Sequence, residues 1–119
     1  MYDHQLHQRI NQILQQHKID IAGKDNFFYV RMMANADSMY QLYKEIYGTS
    51  TSSEKHFSQL VGVMIHAYQK RSETLKKKDD EKADKGNWFL SNEIMGMSLY
   101  ADRFCGDLSK LAGKLDYFE

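Results

Sequence analysis

The apolar positions of this 119-residue chain fall at helical spacing for most of its length. Leu6, Ile10, Ile13, Leu14 and His17 recur at three- and four-residue steps, which places them on one face and predicts a first helix over 3–20. The glutamines between them are good helix formers for the solvent side. Ala22-Gly23 is expected to end this helix, with Gly23 in the left-handed closing position. Asp25 or Asn26 can cap a second helix reaching Tyr47, because a side-chain oxygen there accepts from a first-turn amide that has no partner in the helix. Its main stripe is Phe28, Met32, Ala36, Met39, Tyr43 and Ile46. Phe27, Val30, Met33, Tyr40, Leu42 and Tyr47 widen the stripe to most of the circumference, as in a helix central to a bundle. Methionine and tyrosine at this density fill irregular cores.

Gly48-Thr-Ser-Thr-Ser-Ser reads as a loop, and Thr51-x-x-Glu54 within it as a capping box that starts a third helix. Phe57, Leu60, Val61, Met64, Tyr68 and Leu75 form the stripe of that helix. From Lys70 to Lys85, twelve of sixteen residues are charged, seven basic and five acidic. Lys76-Lys77-Lys78 faces Asp79-Asp80-Glu81 across adjacent turns, so the run reads as the solvated end of the helix leading into a linker. Gly86-Asn87 stops it. Short connections at 21–24 and 48–52 force neighbouring helices to run in opposite directions. Residues 1–87 are therefore expected to be an antiparallel three-helix bundle with Phe28, Met39, Leu60, Val61 and Met64 in its core.

Composition narrows the function. Sixteen basic and sixteen acidic residues cancel, so no net field favours nucleic acid or an anionic membrane. Proline is absent, which permits long helices. The single cysteine, Cys105, excludes an intramolecular disulfide framework and fits a reducing compartment, here the cytoplasm. The N-terminus carries no apolar signal core, and no run approaches the ~18 apolar residues of a membrane span.

Candidate chemistry is thin. His4 and His7 are three apart, a spacing open to a metal, but no third ligand stands near them in sequence. His56 and His66 are ten apart and fall close to opposite helix faces. The serine-rich stretch 49–53 lacks the glycines and lysine of a phosphate loop, and no Gly-x-Ser-x-Gly, His-Glu-x-x-His or Cys-x-x-Cys occurs. Cys105 reads as an inert buried thiol. Trp88 opens the most hydrophobic tripeptide in the chain, Trp88-Phe89-Leu90, and is expected to fasten the linker to the third helix. No catalytic, cofactor-binding or metal-ligating residue and no cofactor is expected.

A more specific pattern occupies the last quarter. Trp88-x-Leu90-Ser91-Asn92, then Tyr100-x-Asp102-x-Phe104-x-Gly106-Asp107-Leu108, then Leu111 and Tyr117-Phe118, agree in residue type and spacing with one family. The stretch resembles the opening of the catalytic barrel in amylosucrase-like, sucrose- or α-glucan-active enzymes of glycoside hydrolase family 13, in the α-amylase superfamily. The resemblance covers the 32 residues 88–119; residues 24–87 follow the family's N-terminal helical domain mainly in the order of helical segments. It implies an N-terminal helical domain over 1–87 and the truncated start of a barrel over 88–119. The parent protein would be a retaining α-glycosidase or transglucosidase. Such enzymes need two carboxyl groups ~5 Å apart. In this family these are an aspartate and a glutamate, with a second aspartate gripping the sugar, all on later strands without counterparts here. By the same resemblance Asp107 is a helix cap, Asp102 orients nearby loops, and Cys105 stands where the family often has alanine. The chain itself is thus expected to be non-catalytic, with its own catalytic barrel as its partner. The alternative is a free-standing helical module that buries its aromatic surface in another protein. The apolar end Leu115-Asp-Tyr-Phe-Glu favours the first, since a small domain rarely stops inside an amphipathic stripe.

In a complete enzyme, 94–104 would be the first barrel strand and 107–119 the helix after it. Without a barrel, a lone strand leaves its backbone groups unpaired. Ile94, Met97, Ala101, Phe104, Leu108, Leu111, Leu115 and Phe118 step by three and four residues, so a helix capped by Ser91 or Asn92 is expected instead. Gly96, Gly106 and Gly113 oppose it by up to ~1 kcal/mol each. The resulting fold class is all-α: a small antiparallel bundle of three helices plus a C-terminal helical segment, with a homodimer expected where cover of that seam is imperfect.

Overall fold

In the computed structural model, which describes residues 1–118, helix α1 (His4–Gln16) opens on Asp3. The Asp3 carboxylate accepts from the Leu6 amide at 3.0 Å and so satisfies one of the first-turn donors. Leu6, Ile10 and Leu14 are buried, as the spacing requires. The helix closes at His17, short of the expected Asp20. Lys18 takes a left-handed conformation at φ 56°, its amide donates to the Gln15 carbonyl and the Ile19 amide to that of Leu14. This is a Schellman closure with lysine where glycine is usual, and the buried Ile19 supplies its apolar contact. Gly23 does not close the helix; it leaves room for the Asp20 carboxylate.

Helix α2 (Asn26–Tyr47) has the expected bounds and ends on Gly48 at φ 73°. Asp25 precedes it without capping it, because its carboxylate accepts from the Asp20 amide and from the Tyr68 hydroxyl, each at 2.9 Å. Only Met32 and Ala36 are buried along α2; Phe28, Tyr29, Met33, Met39, Tyr40 and Tyr43 pack around that core, and Val30, Leu42, Ile46 and Tyr47 are exposed.

Helix α3 (Thr51–Lys70) is capped one residue earlier than the sequence indicates. The Ser50 hydroxyl accepts from the Ser53 amide at 3.2 Å, while Glu54 leaves the helix end and bonds Arg9 and Tyr40. That tie sets the rotation of α3. Ser53, Phe57, Val61 and Ile65 turn inward, whereas Leu60 and Met64, expected in the core, lie on the flank at 40% and 37% exposure. Phe28 and Met39 are likewise only partly covered. The third helix also does not run on to 85. Arg71 is extended (ψ 132°), and a separate helix α4 (Glu73–Lys85) begins after it. The Arg71 guanidinium reaches across the break to Asp79 at 2.8 Å. No residue of α4 is buried, in keeping with its charge run.

Residue pairs fix the helix directions. Arg9 meets Glu54, and Gln69 Nε2 donates to the His17 carbonyl at 2.7 Å, so α1 and α3 run alongside in the same sense. The Phe57 ring lies against Tyr40 and Tyr43, and Phe28 stacks on Tyr68 at 4.0 Å, so α2 runs opposite to both. Met1–Asp84 form one compact unit, and a second begins at Lys85.

In the second unit a 3-10 turn (Trp88–Leu90) leads to residues 94–100, which have no regular structure, then to α5 (Ala101–Phe104), α6 (Leu108–Ala112) and a 3-10 turn (Leu115–Phe118). The continuous seam helix expected here is not formed. Gly106 sits at φ 104°, outside helical space, and divides α5 from α6. The Asp107 carboxylate caps α6, accepting from the Lys110 amide at 2.8 Å. The Phe104 ring lies 6.1 Å from Tyr117 and 5.9 Å from Phe118. Glu119, the last residue of the expected helix, lies outside the described residues. Among the described residues the chain is helical without any strand, a small antiparallel bundle followed by short helical segments.

Candidate functional site

The polar side chains of the first unit converge where the start of α1 meets the middle of α2. Asp37 is the hub. Its two carboxylate oxygens accept from the Asp3 amide at 2.9 Å and from His7 Nε2 at 2.8 Å. His7 is almost fully buried, and the Tyr2 ring covers it at 4.3 Å. The hydrogen bond from His7, then that from the Asp3 amide, holds the Asp37 carboxyl below the usual carboxylate range. Both donors stabilise the charged form.

One turn further along, Glu54 joins all three packed helices. The Arg9 guanidinium and the Tyr40 hydroxyl both donate to it. The Tyr40 bond, with Arg9 adding to it against the effect of burial, keeps the Glu54 carboxyl below its ordinary range. Burial first, and the bond to Glu54 second, push the Tyr40 hydroxyl up. Arg9 also lies over the Tyr40 ring at 5.3 Å. This network is structural, since each member is committed to another helix.

Beside the Asp37 hub opens a cleft of about 530 Å³. Residues 1–5 form one wall and Asp37, Ser38, Tyr40, Gln41 and Lys44 of α2 the other. Its size is that of a small-molecule site, which typically measures ~300–1,000 Å³. Its carboxylates are already engaged: Asp3 caps α1, and Asp37 holds His7 and the Asp3 amide. Among the described residues no three His, Cys, Asp or Glu side chains gather as metal ligands. Beside these engaged carboxylates the cleft presents Tyr2, His4, Gln5, Ser38 and Gln41 along its walls.

The residues singled out by sequence separate in space. His7 joins the hub, while His4 lines the cleft 6.3 Å from the Tyr2 ring. His56 and His66 are exposed on α3. The Lys76 ammonium lies 4.5 Å over the Tyr68 ring and pairs with Glu73 at 3.1 Å; Lys77 and Lys78 are exposed. In the second unit, the Trp88 ring stands edge-on to Phe89 at 6.0 Å, and Asp102 is exposed in the first turn of α5. The Cys105 thiol is half-buried and donates to the Ala101 carbonyl at 3.3 Å.

Sequence reasoning passed over Tyr2, Gln5, Ser38 and Gln41. No motif marks them, and only the pairing of α1 with α2 brings them together. Among the described residues, no helix is long and apolar enough to cross a membrane. No known protein family and no solved structure matches this chain.

Proposed function

We propose that this chain is the non-catalytic N-terminal helical domain, with the entrance to the barrel, of a cytoplasmic glycoside hydrolase or glucosyltransferase active on α-glucan or sucrose. The observation that carries this reading is the apolar surface of the second unit. Leu90, Met95, Tyr100, Leu108 and Tyr117 are each more than 70% exposed, and all but Met95 belong to the pattern that resembles the family 13 opening. Full burial of such a side chain stabilises by roughly 1.5–3 kcal/mol, so five of them favour a covering surface strongly. The catalytic barrel is the cover that the resemblance supplies, and a second copy of the chain takes its place when the barrel is absent. The engaged carboxylates of the first unit support the non-catalytic part of the reading.

A second reading is a free-standing interaction module. Leu42 and Ile46 on α2 and Val63 on α3 favour it, being apolar and exposed on the first unit as well.

Sequencing the gene past the codon for Glu119 separates the two. The expected result is an in-frame continuation that carries an aspartate and a glutamate at barrel-strand positions; a continuation without them would leave the module. The purified chain, incubated with sucrose, maltooligosaccharides or soluble starch, is expected to release neither glucose nor fructose. Release above a blank would overturn the non-catalytic assignment.

A further inference from the structure

We infer that the cleft beside Asp37 is a binding site for a neutral oligosaccharide. Its chemistry points there. The Tyr2 ring is 65% exposed, yet one side of it is set against the buried His7, so it presents a positioned aromatic platform. Sugar rings stack on such platforms through their C–H faces, and the rigidity of the ring keeps the entropic cost low. Around it stand neutral hydrogen-bonding groups with open capacity. Gln5 and Ser38 make no side-chain hydrogen bond among the described residues, and Gln41 uses only its amide nitrogen, toward Glu45 at 3.3 Å. An uncommitted primary amide offers two donors and an acceptor, and a hydroxyl offers both roles, which matches the vicinal hydroxyls of a sugar.

The charges argue against an ionic ligand. Each Asp37 oxygen already accepts from a protein donor, which leaves less of the carboxylate open to coordinate a cation. Lys44 is the one lysine or arginine on the walls, and its ammonium rests 4.5 Å over the Tyr40 ring. A phosphate would meet the Lys44 and Met1 ammonium groups beside the Asp3 and Asp37 carboxylates, so the opposing charges offset and the walls offer it no net attraction.

The inference rests on the proposed function only for the choice of an α-glucan as probe. The test is a titration of the untagged, nitrogen-15-labelled 119-residue chain with maltoheptaose, followed by amide chemical shifts, with inorganic phosphate in a parallel arm. Saturable shifts centred on Tyr2, Gln5, Ser38 and Gln41 are expected with maltoheptaose and none with phosphate. Tyr2→Ala and Gln41→Ala, both at exposed positions, should each weaken binding by about two- to tenfold with unchanged circular dichroism. Absence of saturable shifts, shifts centred elsewhere, phosphate shifting the same amides, or unchanged affinity in both variants would overturn the site. None of those results touches the domain assignment, which stands on residues 88–118.

Discussion

Phe57→Ala is the most direct test of how the bundle is held together. Phe57 is fully buried, with its ring 4.9 Å from Tyr40 and 5.1 Å from Tyr43, the latter edge-on. Truncating a buried phenylalanine to alanine costs ~3–5 kcal/mol, and the two aromatic partners place this site in the upper part of that range. Alanine's better helix propensity returns only a few tenths of that. A unit the size of Met1–Asp84 has a total stability of ~4–13 kcal/mol at typical values per residue. The variant is therefore expected to be marginal at 25 °C. Leu60, at 40% exposure on the flank of the same helix, should cost about 1 kcal/mol when truncated to alanine. Urea unfolding followed by circular dichroism at 222 nm reads both. With a slope of ~1.5 kcal/mol/M, Phe57→Ala lowers the midpoint by about 2–3 M and Leu60→Ala by less than about 1 M. Phe57→Leu, which keeps most of the volume, should stay within ~1.5 kcal/mol and guards against a variant that does not fold at all. Equal costs for Phe57→Ala and Leu60→Ala, or a cost below ~1 kcal/mol for the first, would show that α3 is rotated differently from the packing described.

Ser50→Ala should cost ~1 kcal/mol by urea midpoint and Thr51→Ala only a few tenths, since Ser50 alone accepts the Ser53 amide; the reverse order would restore the capping box. Glu54 has a folded pKa below its ordinary 4.5, so the unfolded state binds more protons in the interval between the two values. Stability from Glu54 is complete above its ordinary range and is lost as pH falls through the lowered value. Glu54→Gln should flatten the stability profile on that acid limb, and an unchanged slope would detach Glu54 from the network. Lys18→Gly removes left-handed strain of ~1–2 kcal/mol against a larger unfolded-state entropy, and calorimetry should show Tm rising by about 2–6 °C. A fall in Tm would mean that Lys18 contributes contacts worth more than its strain.

What the sequence discloses here depends on how far apart the deciding residues are. Asp25 stands at the start of α2 without capping it, whereas the α1 stripe follows from spacing and the end of α2 from Gly48, both local signals. The rotation of α3 does not. Leu60 and Ile65 are equally apolar, and only the bond of Glu54 to residues on two other helices decides which of them faces inward. The break at Arg71 is nearly as hidden, because Lys70 to Lys85 contains neither glycine nor proline and only Ser72, whose hydroxyl accepts from the Leu75 amide, marks the new start. In the last quarter Gly106 divides α5 from α6, and the first part of the apolar seam, 94–100, forms no helix either. The cleft was illegible for the same reason as the α3 rotation. Tyr2 precedes α1 and Gln41 lies on the exposed side of α2, and neither stands out until the fold brings both to one cleft.

The side-by-side arrangement of α1 and α3 also sets an order in time. α1 leaves the ribosome before α2 and α3, yet its buried face rests on α3 through Arg9–Glu54 and Gln69–His17, and more than fifty residues separate the end of one from the end of the other. At ~5–20 residues per second, the apolar face of α1 waits about 3–10 s for its partner during synthesis. Once α3 has emerged, a helical bundle closes within microseconds to milliseconds. The first unit can then close before most of 88–118 has left the ribosome. The exposed apolar residues of the second unit thus emerge after the first unit has been able to close, which leaves them to whatever is synthesised or encountered next.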